Sequence, residues 1–430
     1  MKSSFCMKRA AILSIFCTMF ALCSGVYAQT EESGQDGTIL VEGERRFPLG
    51  FYELPEDNAG LEAMAGAGVN LVRCRSRADL DRLDALGMRG IMPLPLDQGA
   101  SKALRAKVLD VAGHPALAVW EGPDEVVWNF TAYSGLYRTM GVHKVSGAWW
   151  KQTPEALAYA EEKAAVIIAN MREGAAFVRE NDPNGLPLWI NEALKSDVHY
   201  VRQYMEYTNI TGCDIYPIKK DKREPQLLGG ATDRWRAVGR GMPVYMVLQA
   251  FSWDELGEYH GAKETAYPSF AESRLMAYDA IVHGAAGILY WGSHFLKNDD
   301  FRGSVYAVVS ELDALQPFLV AEDAEGIDVQ CLDALLDGGE PHVRAIARRH
   351  GGDWLVVVVN EDGVSRMGAV VTGLDALNGR ELTLLYGGGV RRIQDGMLPV
   401  RMQPLDVQVY CTSRDFETAN TQYRGWTFGE

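Results

Sequence analysis

The sequence predicts a parallel (β/α)8 barrel followed by a small antiparallel β-sandwich. Three observations carry that expectation: short β-rich runs alternate with helical stretches, there are eight such units, and the texture of the chain changes near residue 323. With 430 residues the chain has room for one large domain and a smaller one, and 47% hydrophobic and 10% aromatic content fit a globular protein with a sizeable core.

The first element is not part of either domain. Lys2, Lys8 and Arg9 accompany an apolar run from Ala10 to about Cys23, and Val26-Tyr27-Ala28 offers a small-residue cleavage site. The run is short for a membrane span, so residues 1–28 read as a secretory signal peptide cut after Ala28. The expected location is secreted or periplasmic. No later segment is long and apolar enough to cross a membrane. Residues 29–40 read as a flexible lead, 41–322 as the barrel, 323–413 as the sandwich and 414–430 as a tail.

The eight β-runs are "FPLGFYEL", "GVNLVRCRS", "GMRGIMPLPL", "ALAVWEG", "LPLWINEA", "TGCDIYPI", "MPVYMVLQAF" and "AGILYWGSH". They are almost continuously apolar, as strands buried on both faces of a parallel sheet must be. Between them lie stretches such as "SRADLDRLDALG" and "TPEALAYAEEKAAVIIANMREGAAFVREN", apolar at intervals of three and four. Several start on a Ser, Thr or Asn cap and end at Gly. An open doubly wound sheet is the rival, but no Gly-rich phosphate loop follows the first strand. From "GIDVQC" onward, short strands such as "DWLVVVVN" and "LDVQVYC" are joined by Gly and Asp turns, the pattern of a sandwich.

A formal net charge of -15, made more acidic by loss of the basic leader, argues against nucleic acid or an anionic membrane as partner. Three of the seven cysteines leave with the leader. Of the rest, Cys74 and Cys213 sit within strands as core thiols, and Cys331 and Cys411 are placed to pair in an oxidising compartment. No His/Cys cluster has metal-ligand spacing, and no cofactor or metal is expected. No G-x-S-x-G elbow presents a serine nucleophile.

A (β/α)8 barrel builds its active site at the C-terminal ends of its strands. In order those ends carry Glu53; Arg73 or Arg75; Asp97; Glu121, Asp124 and Glu125; Asn191 and Glu192; Asp214 and Tyr216; Gln249 and Trp253; and Trp291 and His294. Carboxylates ringed by aromatic surface suit sugars. One carboxylic acid protonates a glycosidic oxygen, and a second carboxylate attacks the anomeric carbon or activates water. Flat rings stack on the apolar face of a sugar, which makes Trp128, Trp149, Trp150, Trp253 and Trp291 candidate platforms. Trp149 and Trp150 stand out because neither helix nor strand periodicity accounts for them.

The residues also carry a resemblance. "HPALAVWEGPDE" resembles the fourth-strand motif of (β/α)8 glycoside hydrolases of the retaining β-galactosidase and cellulase clan. Pro115, Leu117, Trp120, Asp124 and Glu125 match it, and Val126 stands where a proline usually follows. "CDIYPI" is similar to a sixth-strand D-x-Y-P, "GILYWGSH" to the eighth-strand Trp, and "RRFPLGFYELP" to the opening strand. The likeness covers residues 40–320. It implies Glu125 as general acid/base with Asp124 as its hydrogen-bonding neighbour, Asp214 and Tyr216 lining the cleft floor, and Trp291 beneath the sugar. The clan's nucleophilic Glu ends the seventh strand, where this chain has Gln249, which can bind a sugar hydroxyl but cannot readily form a glycosyl ester.

The second catalytic carboxylate is therefore Asp214, Glu192 or Glu255, or there is none. Asp214, two strands from Glu125, ranks first. Glu192, one strand away, is alternatively a neighbour that raises the pKa of Glu125 by repulsion. The expected function is a secreted glycoside hydrolase acting on a poly- or oligosaccharide. The alternatives are a non-catalytic carbohydrate-binding barrel that has lost its nucleophile, and a uronate lyase with Tyr216 or a His as base, which the acidic surface disfavours.

Overall fold

A computed structural model describes residues 36–133, 147–257, 264–332, 342–418 and 423–424. The expected signal peptide, the lead as far as residue 35 and most of the tail lie outside the described residues.

Eight parallel strands close into a barrel in sequence order. They are β1 (Leu49–Phe51), β2 (Leu71–Arg73), β3 (Arg89–Pro93), β4 (Leu117–Glu121), β5 (Leu188–Ala193), β6 (Ile210–Asp214), β7 (Val244–Gln249) and β8 (Gly287–Trp291). A helix follows each: α1 (Asn58–Gly66), α2 (Arg77–Asp84), α3 (Lys102–Val111), α4 (Pro154–Asn181), α5 (Val198–Tyr204), α6 (Leu227–Gly239), α7 (Phe270–Val282) and α8 (Asp299–Ala314). All but α6 open on an Asp, Ser, Thr or Asn whose side chain accepts a first-turn N–H, each cap contributing about 1 kcal/mol.

Side-chain alternation along the strands separates two apolar layers. Leu71, Ile91, Val119, Trp189, Ile210, Tyr245, Val247 and Leu289 fill the barrel interior, while their strand neighbours pack outward against the helices. The interior has little spare room. A Cβ on Gly212 would lie 2.7 Å from Trp189 Nε1, so glycine there is what admits the indole. Residues expected in the lead instead help close the barrel floor. A hairpin pairs Ile39–Val41 with Glu44–Arg46, Ile39 is only 2% exposed among the interior residues, and Tyr245 donates from its hydroxyl to Gly37 O at 2.6 Å.

The C-terminal strands form two antiparallel sheets. One has the order β9 (Asp328–Cys331), β12 (Met367–Thr372), β15 (Leu398–Met402). The other runs β10 (Val343–His350), β11 (Asp353–Asn360), β16 (Val407–Cys411), β13 (Glu381–Leu384), β14 (Gly389–Arg392). Strand β11 is buried on both faces. Val356 and Val358 enter the core between the sheets, while Leu355, Val357 and Val359 join the core that continues into the barrel. Buried Arg274 of α7 ties the two units further, donating from Nη1 to Val407 O at 2.8 Å. Cys331 and Cys411 are not joined by a disulfide, contrary to the pairing considered from sequence: they sit in different sheets.

Candidate active site

The alternation that fills the barrel interior also selects what stands at its mouth. One step beyond the apolar layer, the inward positions at the strand ends are Tyr52, Arg73, Glu121, Asn191, Asp214, Gln249 and Trp291. Glu121 is fully buried and paired with Arg73 Nε at 2.5 Å. Burial pushes its carboxyl up in pKa and the adjacent guanidinium pulls it back. This ion pair seats one edge of the mouth and leaves the chemistry to its neighbours.

After β4 the chain stays along β5 instead of turning away. Gly122 N donates to Trp189 O at 2.8 Å and Glu125 N to Asn191 O at 2.9 Å. Glu125 itself adopts the left-handed region, with φ 49° and ψ 40°, a conformation that costs a non-glycine residue about 1–2 kcal/mol. A helical turn, Val126–Trp128, and a wider π-type turn, Asn129–Tyr133, follow at once. What holds this strained corner is Glu192. Its carboxylate accepts from Val127 N (3.0 Å), Trp128 N (3.4 Å), Ser196 Oγ (2.6 Å) and Tyr204 OH (2.9 Å). It is fully buried on the outer side of β5, and burial pushes its pKa up to about 7 despite those donors.

Glu125 and Asp214 meet within hydrogen-bonding distance, so one proton is shared between two carboxyl groups. Burial, then the charges of Asp214 and Asp124, raise the Glu125 pKa far above the carboxylate range. Asp214 is raised by burial and by Asp124, and is pulled back by hydrogen bonds from Glu125, Tyr216 and Asn191. Both carboxyls are thus pushed toward the protonated form and titrate together as a pair. Asn191 Nδ2 lies between the acids, donating to Asp124 Oδ1 at 3.0 Å and reaching Asp214 Oδ2 at 3.5 Å. Tyr52 OH reaches Asp124 Oδ1 at 3.4 Å and Tyr216 OH reaches Asp214 Oδ2 at 3.3 Å. Tyr52 has no place among the sequence-derived site residues; its inward parity on β1 is the signal that finds it.

Beside the acids lies an aromatic wall. Tyr216 stacks on Trp291 with centroids 5.3 Å apart and planes at 23°, and Phe251 and Trp253 meet Tyr216 edge-on. The β8 loop behind Trp291 is pinned by Glu53, which accepts from Gly292 N (3.0 Å), Ser293 N (3.1 Å) and Ser293 Oγ (2.7 Å). On the other side of Glu125, Trp128 and Trp150 lie 6.0 Å apart, with Trp150 50% exposed.

Four expected placements differ, the first being Glu192, a candidate second carboxylate that faces the helices with its oxygens taken by the Glu125 turn, Ser196 and Tyr204. Gln249 is buried, and its amide is spent on the main chain: Oε1 accepts from Ile218 N (2.9 Å), and Nε2 donates to Ile218 O (2.9 Å) and Phe251 O (3.0 Å). It braces the loop after β6, and both its N–H donors are spent there. Trp149 is 5% exposed and packs against Tyr200, leaving only Trp150 of that pair at the surface. Glu255 is committed to a capping box with Ser252 and to Tyr267 OH and Lys297 N.

No protein-family model matches the sequence, and neither does any curated protein. Solved structures do match in shape. A β-galactosidase from Bacillus circulans sp. alkalophilus superposes with a TM-score of 0.54 at 9% identity, covering 86% of this chain and 99% of that one. A glycoside hydrolase family 5 protein from Bacteroides vulgatus ATCC 8482 gives a TM-score of 0.51 at 14% identity, covering 92% and 97%. The likeness is one of fold. The chain also aligns with 60% of the length of a β-galactosidase from the psychrophilic Marinomonas ef1, using 62% of its own, at 13% identity and a TM-score of 0.45. The barrel and its appended sandwich thus have the architecture of known glycoside hydrolases.

Proposed function

We propose that the protein is a glycoside hydrolase in which Glu125 protonates the leaving glycosidic oxygen and Asp214 is the partner carboxylate. The observation that carries this reading is the buried Glu125–Asp214 contact at the barrel mouth. It holds one acid protonated and leaves a negative charge beside the position where an oxocarbenium-like sugar would develop. The Tyr216–Trp291 wall supplies a flat apolar face next to that pair, and Trp128, Trp150 and Trp253 add further aromatic surface around the rim. Glu192 acts by positioning, since all its acceptor capacity goes to the turn that carries Glu125 and to the two hydroxyls behind it. Two carboxyls in hydrogen-bond contact are closer than the roughly 5–5.5 Å of retaining enzymes or the roughly 6.5–9.5 Å of inverting ones, so an entering sugar has to part them.

One observation favours a second reading, a carbohydrate-binding barrel without turnover. Gln249 ends β7, and its amide is engaged by backbone, so β7 contributes no nucleophile. The two readings part on a panel of poly- and oligosaccharides incubated with the wild type and Glu125→Gln. Hydrolysis predicts that reducing ends appear with the wild type and slow by about 10²–10⁴-fold in the variant, with unchanged melting. Binding without release of reducing ends would establish the second reading, and undiminished turnover in the variant would remove Glu125 from the mechanism. Export with cleavage after Ala28 belongs to the same proposal. It rests on the leader's charge and apolar length, and sequencing the mature N-terminus, expected to begin at Gln29, tests it.

A further inference from the structure

We propose that Asp279, His283 and Glu361 form a binding site for a zinc-class divalent cation at the seam between barrel and sandwich. Asp279 and His283 stand one turn apart at the end of α7, and Glu361 follows β11. One ligand atom from each lies within 4.8 Å of the others. His283 Nε2 is 2.6 Å from Glu361 Oε1 and 3.8 Å from Asp279 Oδ1. A tetrahedral zinc with bonds of about 2.0–2.2 Å places neighbouring ligand atoms about 3.4 Å apart. Both contacts therefore reach ligand spacing with shifts of less than about 1 Å.

Two features separate this cluster from a chance meeting of acids. The first is an oxygen with no donor. Asp279 is fully buried and its Oδ2 accepts from Gly229 N at 2.6 Å, but among the described residues no N–H or O–H donor serves Oδ1, on the side facing His283, and the Glu361 carboxyl bonds the Asp279 carboxyl only when a proton sits between the two acids, the place a cation would take. Even an imidazolium ring leaves it unsatisfied, because one nitrogen serves Glu361 and the other is turned away. A buried carboxylate oxygen left so costs several kcal/mol unless a proton or a cation compensates. The second feature is that other nitrogen. His283 Nδ1 is 2.9 Å from Asp233 Oδ2, the carboxylate–histidine arrangement that keeps a proton on Nδ1, so that Nε2, now 2.6 Å from Glu361 Oε1, gives up its own proton when a metal takes its place between them.

The donor set selects the ion class. One imidazole and two carboxylates fit zinc, or manganese or cobalt in its place. Calcium and magnesium prefer an all-oxygen shell of six or more ligands. Glu361 keeps 14% side-chain exposure, enough to admit a water as fourth ligand. The other charges facing the cluster are Arg344, 3.9 Å from Glu361 Oε1, and Arg236, which donates to His283 O at 3.1 Å. The sequence reading misses the site because its one local trace is an Asp and a His four residues apart, with the third ligand 78 positions beyond the His.

The test uses the tag-free full chain, stripped with chelator, loaded with zinc and freed of excess. Metal content is then measured by mass spectrometry and affinity by competition with a zinc-binding dye. The expected result is one zinc per chain and a melting temperature about 5 °C above the stripped protein. Glu361→Gln and His283→Gln are expected to lose the ion, Asp233→Asn to weaken it about 10–100-fold, and Glu125→Gln to keep it. Should His283→Gln fail to fold, Glu361→Gln, whose side chain is less buried, still decides. Zinc content below about one ion per ten chains would overturn the proposal. So would retention by Glu361→Gln with wild-type affinity, or loss in Glu125→Gln, which would assign the ion to the catalytic acids.

Discussion

Asp214→Asn probes the proposed proton arrangement directly. The substitution keeps the shape of the side chain and deletes the charge that Glu125 faces across a hydrogen bond. Two unit charges about 4 Å apart interact by about 4 kcal/mol at an effective dielectric constant near 20. At 1.36 kcal/mol per unit, that lowers the pKa of Glu125 by about 3 units, leaving it raised only by burial and by Asp124. The sign follows from the acid. Its neutral form is favoured beside Asp214, so the protonated carboxyl persists to higher pH in the wild type and ionises earlier in the variant. Isotope-edited infrared titration of the carboxylic-acid stretch measures this without a known substrate, and Glu125→Gln identifies the band. Absence of a protonated Glu125 at neutral pH, or a midpoint unmoved in Asp214→Asn, would refute the reasoning.

Three further outcomes are expected. Glu192→Ala removes the acceptor for two backbone N–H groups and two hydroxyls, which should cost about 2–4 kcal/mol and lower the melting temperature by roughly 2–5 °C; calorimetry showing a change under 1 °C would deny it the anchoring role. Gly292→Ala places a Cβ 2.5 Å from the Phe251 ring at a φ of +100°, so melting should fall and Trp291 fluorescence shift, whereas Ala at exposed Gly351 should leave that fluorescence unchanged. Under denaturing conditions without reductant, Cys74, Cys213 and Cys411 should alkylate fully, as peptide mass spectrometry would show.

The barrel was legible because its signal is repeated: eight apolar runs, each followed by a capped helical stretch, leave few other architectures. Reading strand ends then gathers Asp124, Glu125, Asn191, Asp214, Tyr216 and Trp291 correctly to one end of the barrel, since chain direction alone decides that. Orientation is harder. On β5, Trp189 and Asn191 alternate inward while Ile190 and Glu192 face the helices, so the period of two already separates Asn191 from Glu192. For Gln249 parity misleads. It lies in step with inward Tyr245 and Val247, yet the backbone at Ile218 engages its amide, and loop paths of that kind leave no periodic mark. Trp149 fails similarly, because a stretch without periodicity says nothing about which of two adjacent indoles turns inward.

The two-faced burial of β11 has a practical consequence for anyone dissecting the chain. Stopping the chain at residue 322 would strip Leu355, Val357, Val359 and Val409 from the apolar layer against α7 and expose a greasy flank prone to self-association. Heat should therefore dismantle both units in a single step, and the appended sheets serve as a fixed wall of the barrel, inseparable from whatever the barrel does.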